Sequence, residues 1–79
     1  EKGNELRKAA RKAEAELERL TQQRSAIDQA MFDPGAAKGE LAKLTMTELM
    51  KRRAMLEEQI EGAELAWLAA SEALESLAA

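Results

Sequence analysis

Between Thr45 and Leu77 the apolar or small residues Leu49, Leu56, Ile60, Ala63, Trp67, Ala70, Leu74 and Leu77 recur at steps of four and three, with Arg53 in the one remaining slot. That spacing is the a/d seam of a heptad helix, narrower than the apolar face of a globular one. The first part of the chain carries a stripe of the same rhythm: Leu6, Ala10, Ala13, Leu17, Leu20, Arg24, Ile27 and Met31. Such a stripe needs a partner, and folding the chain back on itself supplies one. Met31 meets Leu49, Leu20 meets Ile60, Leu17 meets Ala63, Ala13 meets Trp67 and Leu6 meets Leu74, every pair summing to 80. Each layer sets an a against a d, and large residues face small ones, as a dense core requires. The register therefore buries Trp67 against Ala13.

The expected fold is all-α: one antiparallel two-helix coiled-coil hairpin over residues 1–79 with a short, partly helical tip. Helix one runs from about 4 to 31, with Asn4 as a candidate N-cap. Its interior is rich in good helix formers. Asp33-Pro34-Gly35 stops it, because Pro34 lacks the N–H a continuing helix needs and restricts the residue before it. The tip spans 32–44, with a helical turn expected over Lys38–Leu44 and with Leu41, Leu44 and Phe32 closing the end of the seam. Thr45 followed by Glu48 is a capping box that starts helix two, about 45 to 77. Glu48 is also placed to pair with Arg52 one turn on. Gly62 interrupts good helix formers without a local reason.

Composition narrows what the hairpin can do. Seventy-nine residues without cysteine or histidine leave no disulfide framework and remove the commonest metal ligands and general bases. No phosphate-binding glycine loop is present. The carboxylates Glu57, Glu58, Glu61 and Glu64 read as a solvated helix face rather than an acid/base or metal cluster. No catalytic, cofactor-binding or metal-ligating residue is assigned, and the chain is not expected to be an enzyme. No apolar run approaches the roughly 20 residues of a membrane span, and no signal peptide opens the chain, so a cytoplasmic location is expected. A chain that begins Glu-Lys-Gly without Met reads as a piece of something longer.

The net charge of −3 is unevenly spread. Residues 1–12 carry a local +3, the segment Arg24–Arg53 carries +2, and the stem between them is acidic through Glu14, Glu16, Glu18, Glu57, Glu58, Glu61 and Glu64. Arg24 and Arg53 sit in the seam itself. Their stems can cover Ile27 and Leu56 while the guanidinium groups reach water, or the two can join Lys51 and Arg52 in a cationic surface for phosphates. The flanks of the seam offer little cross-strand charge pairing, and Glu14 falls near Glu64. The hairpin is thus expected to rest on its seam alone and to be a monomer.

A long Glu/Ala/Leu-rich helix, the break Met31-Phe32-Asp33-Pro34, then Leu56-Glu57-Glu58-Gln59-Ile60 and Glu64-Leu65-Ala66-Trp67-Leu68 resemble the C-terminal hairpin of F-type ATP-binding cassette (ABC-F) proteins, most of all the Uup-like branch. The resemblance covers nearly the whole chain. It implies a parent with two upstream ATPase cassettes that bind ATP, and a hairpin that contacts nucleic acid or the ribosome. The family's ATP-binding motifs have no counterpart in these residues.

The expected function is weak, non-catalytic contact with DNA or ribosomal RNA through phosphates, which is sensitive to salt and blind to sequence. The candidate groups are Arg7, Lys8, Arg11 and Lys12 at the base and Lys38, Lys43, Lys51 and Arg52 at the tip. The rival is a protein-interaction or spacer hairpin that docks on its own ATPase domains or on a partner without touching nucleic acid. A third possibility is an unrelated coiled-coil arm that self-associates through an alanine edge of Ala9, Ala30, Ala66 and Ala73.

Overall fold

The computed structural model describes residues 2–78. Helix α1 (Lys2–Phe32) leads through two 3-10 turns, Pro34–Ala36 and Gly39–Lys43, into helix α2 (Met46–Ala78). The helices pack along their length as a rod of 52 × 17 × 15 Å, and there is no strand among the described residues. Two ion pairs fix direction and register. Arg53 Nε donates to Asp28 Oδ1 at 2.6 Å, and Arg24 Nη1 donates to Glu57 Oε2 at 3.4 Å. Four residues back along α1 correspond to four residues forward along α2, so the helices are antiparallel. Both pairs sum to 81, within one residue of the register read from the stripes.

The core gathers in the half of the hairpin nearest the tip. Leu20, Ile27, Ala30, Leu49, Leu56 and Ile60 are buried together, with Leu17, Met31, Ala37, Leu41, Leu44 and Ala63 packed on their edges. Leu41 and Leu44 close the end of the seam as expected. Phe32 does not join them and is 92% exposed. Met31 takes the inward position, and the next residue of a helix points about 100° away.

Trp67 departs from the expected packing as well. Ala13 is buried, but the indole beside it is 40% exposed. The register is not at fault, since the ion pairs hold it. Two helices close a seam from two sides only, and an indole overhangs a space that suits a leucine. Without a third helix its outer part stays in water. Elsewhere in the base half, Ala70 is buried, Leu6, Ala10 and Leu74 are half-buried, and Leu77 is exposed. Of the alanine edge, Ala30 lies in the core, while Ala9 and Ala66 are exposed and Ala73 is half-buried.

Local signals fix the ends of the helices. The Asp33 N–H closes the last α-helical bond to Gln29 at 2.9 Å, and Pro34 opens a 3-10 turn in which the Ala36 N–H reaches Asp33 O at 3.0 Å. Left-handed backbone falls at Gly39, with φ +64°, rather than at Gly35. The capping box at α2 is complete. The Thr45 N–H donates to Glu48 Oε1 at 2.9 Å and the Glu48 N–H to Thr45 Oγ1 at 3.1 Å. That backbone donor, followed by the Thr45 side chain, holds the Glu48 carboxyl below the usual carboxylate range. Arg52 turns away from Glu48 and donates to Glu40 Oε1 in the tip at 2.6 Å. Asn4 is not a cap but lies inside α1, where its Oδ1 accepts from Arg7 at 3.2 Å.

The expectation of a seam without charge support is also corrected. Arg53 bonds Asp28 across the helices and Glu57 along α2, the latter at 2.8 Å, and Glu57 in turn meets Arg24. Asp28 is the first cause that raises the Arg53 pKa. The four side chains straddle the seam next to its best-packed layers.

Candidate nucleic-acid interface

Helical geometry sorts the basic residues of the base. At 100° per residue, Arg7, Lys8, Arg11 and Lys12 occupy about 140° of arc on α1, centred almost opposite the seam. All four are exposed. Among the described residues none of them forms an ion pair with a carboxylate. Apart from the Arg7 hydrogen bond to Asn4, only the helix itself positions them, so phosphates can approach without disturbing the core. The ridge ends at Glu16, whose carboxyl is held below the usual range by its hydrogen bond with Arg19, and in smaller part by the field of Lys12 one turn before it.

The fold adds something to the base that the order of the chain hides. In the antiparallel register Glu72 and Glu75 of α2 come level with Lys8 and Glu5 of α1. Both are exposed. The base is therefore a basic ridge on one helix beside an acidic flank on the other, and not a cap of positive charge.

The tip is less basic in space than in sequence. Lys38, Lys43 and Lys51 are exposed. Arg52 is held by Glu40, and Arg24 and Arg53 are engaged by Glu57 and Asp28. Covering the seam and bonding its flanks accounts for the two seam arginines, which leaves them out of a cationic surface. Some 30 Å of helix separates Lys12 from Phe32 at 1.5 Å per residue, so base and tip cannot form one compact site. The acidic stem between them would repel a phosphate backbone lying along the rod.

Two apolar features went unseen in the sequence, which reads Trp67 and Phe32 as packed. Trp67 and Leu68 line a shallow groove with Leu17, Glu14 and Glu64. Phe32 lies with Ser25, Asp28 and Ala36 beside the tip. Heptad spacing reports which way a side chain leaves its helix, and gives no account of how far the partner helix covers it. Among the described residues no group of histidine, cysteine, aspartate and glutamate is arranged to hold a metal ion, and no helix is long and apolar enough to cross a membrane. No protein-family model, curated protein or solved structure matches this chain.

Proposed function

We propose that the hairpin is a non-catalytic domain that touches the phosphates of duplex DNA or ribosomal RNA along the α1 ridge of Arg7, Lys8, Arg11 and Lys12. The observation that carries this reading is the set of four outward cations on one helix face, none of them tied to a carboxylate of the described residues. Three or four such contacts bind weakly, without reading bases, with a log–log salt slope near −3 on duplex DNA. The tip lysines Lys38, Lys43 and Lys51 form a secondary contact, and Arg52 joins it only by leaving Glu40. The resemblance to ABC-F hairpins supports a cytoplasmic parent whose ATPase cassettes supply ATP binding outside these residues.

A fluorescence-anisotropy titration of labelled duplex DNA and structured RNA at low and moderate salt tests the proposal. Reversal of Arg11 and Lys12 to Glu should abolish binding to every sequence alike, and reversal of Lys51 and Arg52 should weaken it only slightly. The alternative is a docking or spacer hairpin without nucleic-acid contact, favoured by the exposed Phe32 at the tip. Absence of binding at low salt by a folded hairpin would select it.

A further inference from the structure

Arg7, Arg11, Glu14 and Glu18 follow one another at steps of four, three and four. On α1 these four lie within about 60° of arc, roughly at right angles to the seam. All four are exposed. Two basic residues followed by two acidic ones at this spacing make a stripe complementary to its own reverse. Laid antiparallel against a second copy, Arg7 faces Glu18 and Arg11 faces Glu14, and each pair forms twice.

The apolar groove falls at the centre of this stripe. Glu14 lines it together with Leu17, Glu64, Trp67 and Leu68, so it opens on the face that carries the stripe. In the register of the hairpin, Trp67 and Leu68 stand level with Ala13 and Lys12, between Arg11 and Glu14. A two-fold axis at that level brings Trp67 of one copy onto Leu68 of the other. Trp67 is 40% and Leu68 48% exposed in the single chain. We infer that two copies of this chain pair antiparallel through this face, with Trp67 and Leu68 at the two-fold axis and the Arg7–Glu18 and Arg11–Glu14 pairs on either side. Such an isologous contact uses one patch twice and closes on itself.

Geometry also bounds its strength. With the axis at this level, the rods overlap for about 21 residues, roughly 32 Å. Over a width of 17 Å that is about 500–600 Å² per copy, below the ~800 Å² of a standard interface. On the α2 side Glu75 of one copy approaches Glu61 of the other, a like-charge contact that weakens the pair. The dimer is therefore weak and fills in the upper micromolar range. Lys8 and Lys12 stay on the outer side of α1, free for phosphates.

Sedimentation equilibrium of the whole chain, from about 10 µM to about 1 mM, tests the pairing in the range of such small interfaces. Trp67 is the only tryptophan, so its emission reports burial at the axis directly. The expected result is a monomer–dimer equilibrium with a blue shift of emission that tracks the dimer. The double reversal R7E/R11E should weaken the dimer at least tenfold. Adding E14R/E18R should restore it, since the stripe is then complementary with its signs exchanged. Glu75→Lys should strengthen it. A helical chain that stays monomeric to 1 mM would overturn the inference. So would a dimer whose emission does not shift, or one indifferent to R7E/R11E.

Discussion

The two halves of this hairpin share one heptad rhythm but not one degree of packing. Near the tip, Leu20, Ile27, Leu49, Leu56 and Ile60 form a contiguous core, closed at its end by Leu41 and Leu44 and flanked by the Asp28–Arg53–Glu57–Arg24 chain of ion pairs. Toward the base the same slots hold Ala10, Ala13 and Ala70, Trp67 overhangs into water, Leu6 and Leu74 are only half-buried, and nothing among the described residues closes the end. Buried area per layer, not periodicity, sets local stability. The half with the thin core is the half that carries the four-cation ridge of α1 and the exposed Trp67. The surface proposed to bind phosphates thus sits on the part of the rod that stability depends on least.

Truncation at matched layers breaks that contrast most sharply. Leu20→Ala removes a side chain that is 1% exposed and should cost about 2–5 kcal/mol, enough to lose most of the helicity of so small a fold. Leu6→Ala, at a half-buried position near the open end, should cost under about 1 kcal/mol. Denaturant titration followed by circular dichroism measures both, and equal losses would remove the distinction between the halves.

The cap on the tip side comes next. Thr45→Ala should cost about 1 kcal/mol, and the difference from the parent chain should depend on pH. The Glu48 carboxyl titrates lower in the folded chain than in the unfolded one. Its contribution is thus present above the ordinary carboxylate range and lost as pH falls through the folded value. The gap in melting temperature between parent and variant should narrow on acidification, and a gap that widens would contradict the assignment.

Gly62 gives a smaller effect of opposite sign. Nothing lies within 4 Å of the place a Cβ would occupy, so Gly62→Ala should stabilise α2 by up to about 1 kcal/mol. A thermal melt that moves downward would reveal a need for glycine that packing does not show. The smallest effect is expected from Asp28→Asn, which removes one cross-helix pair that water still reaches at its half-buried side chains. It should lower the melting temperature slightly at low salt and less at high salt.

The sequence made the architecture legible because heptad steps and antiparallel pairing are matters of direction. The register came within one residue of the one the ion pairs define, and Thr45 with Glu48 announced the cap. The misses share one physical cause. Trp67 and Phe32 leave their helices as the spacing says or one step beyond it, but coverage depends on how many neighbours surround a side chain, and two helices supply few. The partners chosen by Arg53 and Arg24 on the opposite helix, and by Arg52 in the tip, were equally hidden, because these side chains meet only once the chain has folded back on itself. For the candidate interface, the cations were legible from the chain, while the acidic flank at the base and the neutralised arginines of the tip emerged only on folding.

Hydrogen exchange of the backbone amides in dilute solution, residue by residue, tests the central contrast most directly. The strongest protection is expected in Leu17–Ala30 and Leu49–Ala63, falling steadily through Ala13 and Trp67 to the open ends of both helices. Protection that is uniform along the rod, or highest at the base, would contradict it.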